Sequence, residues 1–120
     1  MIRAIRGATT AINTKDGIIG AAEELLQEIL KVNNLDIDQV VSILFTATDD
    51  LYAAYPAVAA RNLGMVHAAL MCAQEMRVVG SLPRCVRVQV TAEIENVKQK
   101  DVKHVYLKET RVLRPDLIHD

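Results

Sequence analysis

Polar and apolar positions alternate over MIRAIRGATTA. This predicts an opening strand with Ile2, Ala4, Arg6 and Ala8 on one face and Arg3, Ile5 and Gly7 on the other. The period then lengthens. Ile18, Ala22, Leu25 and Ile29 form an apolar stripe that Ile19, Leu26 and Leu30 widen, while Glu23, Glu24, Gln27 and Lys31 fall mostly outside it. The pattern predicts one long amphipathic helix, capped by Asn13 or Thr14 and ended by Asn33-Asn34. Asp36-Ile37-Asp38-Gln39 resembles a capping box and predicts one short turn.

VVSILFTA, residues 40–47, is a nearly continuous run of apolar and β-branched residues, the pattern of a central strand covered on both faces. Asp49-Asp50 breaks it. Pro56 suits the first position of a short helix through Arg61, with Gly64 at its exit. The segment from Met65 to Met71 predicts a further strand, followed by a polar loop around Gln74-Glu75 and a turn from Gly80 to Pro83. The cleanest alternation lies in CVRVQVTAEI, residues 85–94. Val86, Val88, Val90, Ala92 and Ile94 share one face there, and Cys85, Arg87, Gln89, Thr91 and Glu93 share the other. HVYLK, residues 104–108, is the last strand, with Val105 and Leu107 on one side and His104, Tyr106 and Lys108 on the other. The order β-α-β-α-β-β-β predicts an α+β domain: a mixed β-sheet with one long helix packed on it and one short helix.

Composition adds an interface to this picture. The 120 residues predict a single domain, 1–120, with no linker, repeat or low-complexity run. Hydrophobic residues make up 51% of the chain, yet there is no Trp, one Phe and three Tyr, so the core is aliphatic. That is more apolar surface than one small domain readily hides, which points to contact between subunits. Fourteen Lys and Arg against fifteen Asp and Glu leave a formal charge of −1, without the basic footprint of a nucleic-acid binder. The longest stretch free of Asp, Glu, Lys and Arg, Asn62 to Gln74, has 13 residues and is too short to cross a bilayer. The opening residues lack the apolar centre of a signal peptide. Cys72 and Cys85, the two cysteines, match neither C-x-x-C nor a zinc ribbon. The expectation is a soluble cytoplasmic protein with reduced thiols and with neither nucleic acid nor membrane as a partner.

Little in the chain suits covalent, metal or phosphoryl chemistry. The glycines at 7, 17, 20, 64 and 80 form no phosphate-cradling loop, and no Ser lies in a nucleophile elbow. His67, His104 and His119 are not spaced for a metal, so no metal and no cofactor are expected. His67, inside an apolar segment, reads as a core or interface histidine. What remains is arginine on strands. Arg6 and Arg87 are turned toward faces of small or polar residues, Arg61 closes an alanine-rich helix, and Arg114 follows Leu113. Taken by themselves, such arginines read as salt bridges on solvated edges before they read as a binding site. Taken singly, Glu75 is a loop carboxylate, Tyr106 a half-buried strand tyrosine and Cys72 a small buried hydrophobe.

As a set they read differently. RGATT near the start, Cys72-Ala73-Gln74-Glu75-Met76, Cys85-Val86-Arg87-Val88, HVYL at 104–107 and VLRPDL at 112–117 occur in one order. The chain thereby resembles the monofunctional chorismate mutases of the Bacillus type, the AroH class, over essentially its whole length from Ile2 to Leu117. The resemblance implies a trimeric pseudo-α/β-barrel with active sites at subunit interfaces. It also implies a unimolecular rearrangement of chorismate to prephenate that needs no cofactor. A base-poor, arginine-rich site suits this reaction, because no proton moves and the ether oxygen gains negative charge as its bond breaks.

By position in those motifs, the resemblance gives Arg87 the ether oxygen and a substrate carboxylate. It gives Glu75 the ring hydroxyl and the balancing of positive charge on the ring, with Cys72 nearby. Arg6 and Tyr106 would hold the side-chain carboxylate. Tyr55, Arg61 and the short helix carrying Ala57 and Val58 would close a neighbour's pocket, and Leu113 and Arg114 would belong to a tail, 113–120, over the mouth. Three positions depart from the family's habit. Tyr55 stands where Phe is frequent, Val58 where some members carry Lys, and Met71 where some relatives have a more polar residue. The residues also leave open a trimeric reactive-imine deaminase and a non-catalytic module that binds an aromatic-pathway metabolite. The loop Cys72–Met76 and RGATT favour the mutase.

Overall fold

A computed structural model describes residues 1–113. Its elements in chain order are β1 (Ile2–Thr10), α1 (Lys15–Val32), β2 (Val40–Ala47), α2 (Val58–Asn62), β3 (Ala69–Gln74), β4 (Cys85–Glu93) and β5 (Val105–Tyr106). Short 3-10 helices cover Ile37–Gln39, Gln99–Asp101 and Lys108–Val112. The strands form one mixed sheet in the order β3-β2-β4-β1-β5. β4 runs antiparallel to β1 and β2, while β3 lies parallel to β2 and β5 parallel to β1. The expected α+β architecture, with its long and short helix, is the one observed.

α1 covers one face of this sheet. Thr14 caps it with extended backbone, its hydroxyl accepting the Gly17 N–H at 2.9 Å. Ile18, Ala21, Ala22, Leu25, Leu26 and Ile29 are buried. They meet Ile5 of β1, Ile43 and Phe45 of β2 and the valines of β4, the aliphatic core that the composition predicts. Gly7 allows the close approach: a Cβ there would lie 2.8 Å from Cδ1 of Ile29. At the far end, the Asn33 side chain donates to Ile29 O and Lys103 O and accepts from Lys103 N–H. It thereby fastens the helix end to the segment entering β5. The capping box is present, with the Gln39 side chain accepting the Asp36 N–H at 2.9 Å.

Five local expectations are corrected. The strand predicted from Met65 to Met71 runs instead from Ala69 to Gln74. Gly64, at φ +95°, ends α2 and lets Met65 N–H reach Ala60 O at 3.0 Å, so Met65 packs in the core as part of the helix exit. Parallel pairing with β2 then carries β3 out through Ala47 opposite Gln74, overriding Gln74's polarity. His67 lies in an exposed bend ahead of that strand and is neither core nor strand. The helix expected from Pro56 begins at Val58. β5 holds only Val105 and Tyr106, because the chain turns at once into the last 3-10 helix, which Thr110 hydroxyl pins to Ala8 O at 2.9 Å. Finally, β2 is interior to the sheet but is covered on one face by the described residues: Val41 and Leu44 are exposed on the other.

Candidate active site

Directly paired residues of neighbouring strands project to the same side of a sheet, so register orders the face opposite α1. One row runs Tyr106, Ala8, Arg87, Thr46 and Ala73. The next runs Arg6, Gln89, Leu44 and Met71. The two arginines therefore stand diagonally on adjacent strands, with small Ala8 beside them.

Glu75 joins them from the loop. Its N–H bonds to Ala47 O at 2.9 Å, which extends the β2–β3 pairing one residue past β3 and turns its side chain to the same outer face. The Thr46 hydroxyl donates to Oε1 of Glu75 at 2.9 Å, and the Met76 N–H donates to Oε2 at 3.1 Å. Nε of Arg87 lies 3.2 Å from the same Oε1, a half-exposed ion pair. The pair is in contact without a well-aligned hydrogen bond, and Nε of Arg87 is a buried side-chain nitrogen with no hydrogen-bond partner among the described residues. Arg6, Leu44, Thr46, Glu75, Arg87, Val88 and Gln89 line a shallow cleft of about 160 Å³ around it.

Other expected site residues lie elsewhere in the chain. Cys72 pairs with Phe45 and so turns its thiol toward the α1 side, away from Arg87. It lines a larger cavity of about 560 Å³ with Leu51, Tyr52, Tyr55 and Pro56. Arg61 is exposed in the last turn of α2. Met71 is exposed on the second outer row, and Tyr106 is buried on the first, against a small recess shared with His104 and Arg111. Leu113 ends the last 3-10 helix, half-buried, and Arg114 lies outside the described residues, as does the rest of the expected tail. One chain thus gathers Arg6, Glu75 and Arg87 in a cleft and leaves Tyr55, Arg61 and Cys72 outside it.

Thr46 is the residue that the sequence did not single out. A threonine in an apolar strand carries no local signal. Its place between Arg87 and Glu75 follows from cross-strand register, which is a tertiary fact.

Both cysteines are free. Burial pushes the Cys85 thiol up from its ordinary value, with the charge of Arg87 pulling partly the other way. Among the described residues, no group of three or more His, Cys, Asp or Glu is placed to hold a metal ion. No helix among them is long and apolar enough to cross a membrane.

Comparisons with known proteins find relatives over nearly the whole chain. The profile of chorismate mutase type I matches residues 2–117. Chorismate mutase AroH of Bacillus subtilis is 44% identical over 119 residues, covering 98% of this chain and 93% of its own. Chorismate mutase AroH of Thermus thermophilus is 42% identical over 119 residues, covering 98% and 97%. The solved structure of a chorismate mutase from Clostridium thermocellum superposes with a TM-score of 0.88 at 48% identity, covering 91% of this chain and 97% of that one. Similarity of this span, in sequence and in fold together, shows that the chain belongs to the type I chorismate mutase family.

Proposed function

We propose that the cleft on the outer sheet face binds chorismate and that Arg87 and Glu75 are its catalytic residues. The enzyme is an isomerase. Within one molecule a C–O ether bond breaks while a C–C bond forms, giving prephenate, and no proton or nucleophile takes part. The work left to the protein is to hold the enolpyruvyl arm over the ring and to meet the charge that develops.

The observation that carries this reading is the buried, unpartnered Nε of Arg87 at the cleft. An unsatisfied buried donor is costly in the free enzyme, and an anionic acceptor arriving in the cleft removes that cost. A guanidinium can meet the ether oxygen and still reach a carboxylate with its fork. Glu75, fixed at both oxygens, accepts the ring hydroxyl and opposes positive charge on the ring. Arg6 and Tyr106 hold the side-chain carboxylate. With the thiol of Cys72 turned away, Met71 and Cys72 contribute through their main chain, on a strand whose outer edge has no neighbour in this sheet.

The remaining parts come from another subunit. In a homotrimer with interfacial sites, Tyr55, Arg61 and the helix carrying Ala57 and Val58 close the pocket of a neighbour, and Leu113 and Arg114 lie over the mouth. What supports this is the separation of Tyr55 and Arg61 from the Arg87 cleft within one chain. No metal or cofactor enters the proposed mechanism. The single domain serves phenylalanine and tyrosine biosynthesis in the cytoplasm.

Steady-state kinetics of Arg87→Ala, followed by loss of chorismate absorbance, test the assignment. Loss of one donor to a developing oxyanion removes about 3–4 kcal/mol, so kcat should fall roughly a hundredfold to a thousandfold. Arg87→Lys should recover only part, because a single ammonium cannot span both acceptors. An Arg87→Ala enzyme with parental kcat and only a raised KM would reduce Arg87 to a carboxylate anchor.

A further inference from the structure

The carboxylate of Glu75 and the guanidinium of Arg87 are close enough to neutralise each other, and in this structure they do not hydrogen-bond. Nε and Oε1 are 3.2 Å apart, yet Nε has no hydrogen-bond partner. A charge-assisted bond at that distance is ordinarily favourable, so something else must hold Oε1. The Thr46 hydroxyl does. It donates to Oε1 at 2.9 Å while the Met76 N–H takes Oε2 at 3.1 Å, so the carboxylate is fixed at both ends. Thr46 is able to do this because it pairs directly with Arg87 across β2 and β4, while Ala47, the next residue, accepts the Glu75 N–H.

We infer that Thr46 is a positioning residue for the rearrangement: its hydroxyl holds the Glu75 carboxylate beside Arg87 without letting the two groups bond. This inference rests on the catalytic reading of Glu75 and Arg87. With the hydroxyl gone, the Arg87 Nε–H is the nearest alternative donor to Oε1. A small rotation then makes the bond, and both charges are spent on each other when substrate arrives. The loss falls on the transition state, where ring and ether oxygen carry their charges, more than on ground-state binding.

The test is a double-mutant cycle in the full-length enzyme, reading kcat and KM for Thr46→Val, Glu75→Ala and the pair. Thr46→Val should lower kcat about tenfold with KM changed by less than about threefold, a loss in the range of one charge-assisted hydrogen bond. In the Glu75→Ala background the same change should alter kcat by less than about twofold, because the group it positions is gone. Thr46→Ser and Thr46→Ala both remove the methyl group, so their ratio isolates the hydroxyl even if valine unfolds the protein. Serine should stay within about threefold of the parent and alanine should not. If Glu75→Ala is impaired but the Thr46 loss is equally large in both backgrounds, or if Ser and Ala are alike, the positioning role is overturned and the Glu75 assignment stands. If Glu75→Ala retains parental kcat, the Glu75 assignment is overturned and takes the Thr46 inference with it.

Discussion

Cys85 and Cys72 differ in what surrounds them, and the difference is measurable. Cys85 is fully buried at the start of β4, its N–H bonded to the Thr48 hydroxyl at 3.0 Å, and burial raises its thiol pKa. A thiol whose folded pKa is raised contributes stability that is complete below its unfolded pKa of about 8.5 and is lost as pH rises through the folded value. Cys72 is half-buried and lines the larger cavity. At pH 8 a thiolate-specific reagent should therefore label Cys72 in the native enzyme and reach Cys85 only on unfolding. Equal rates at the two sites in the folded protein would contradict the burial argument. Residues of this scale were unevenly legible. Arg6 and Arg87 stood out because strand alternation turns each charge toward a face of small or polar residues, and that pattern is local. Glu75 and Cys72 had no such signal and were legible only through the family motif. The motif placed Cys72 near the reacting ring without saying that its side chain points the other way. That direction depends on the pairing of Cys72 with Phe45.

At the scale of elements, the loop after β2 sets where β4 begins, and hence where Arg87 stands. Asp50 accepts the Arg84 N–H on both oxygens, at 3.0 and 3.2 Å, and also receives the Thr48 hydroxyl. This clamp holds Arg84 at φ +53°, a left-handed conformation that a side-chain-bearing residue keeps only under constraint. Asp50→Ala should destabilise the fold by about 2 kcal/mol, since it removes hydrogen bonds to a charged acceptor and frees a strained residue. Because the same clamp feeds β4, kcat should fall as well. Thermal melting and turnover measured on one preparation check both, and a variant unchanged in melting would refute the clamp. Elements whose identity rests on local period were legible: β1, α1 and the alternating β4 fall where the pattern puts them. β3 slipped by several residues because Met65 is held by the exit of α2 and the later part of the strand exists through its partner β2. β5 shrank for a similar reason. Its continuation is taken by a 3-10 helix that long-range bonds to Ala8 hold in place.

At the scale of the whole molecule, one helix layer on one sheet leaves the other sheet face uncovered. That face is where the sequence and the fold pull apart. Residues 40–47 read as a strand covered on both sides, yet Val41 and Leu44 are 47% and 41% exposed and Met71 is 67% exposed. Among the described residues nothing covers these side chains, and the apolar surplus in composition is in keeping with cover from a second subunit. The threefold assembly proposed above would supply that cover and would also bring a neighbour's Tyr55 and Arg61 to each Arg87 cleft, so one arrangement would answer two deficits. Light scattering at micromolar concentration should then give three times the 13.3 kDa chain mass. Val41→Glu sharpens the test, because Val41, unlike Leu44, does not line the Arg87 cleft. In the separate chain this side chain is half-exposed and outside the α1 core, so the fold should survive by far-UV circular dichroism. In the assembled face the new carboxylate would be buried without a partner, at a penalty of several kcal/mol per subunit, so the trimer should fall apart and activity with it. A parent enzyme that is fully active as a monomer, or a Val41→Glu variant that keeps trimer mass, would overturn the arrangement. Loss of mass and activity together, with the secondary structure retained, is the outcome expected if each site is built from two chains.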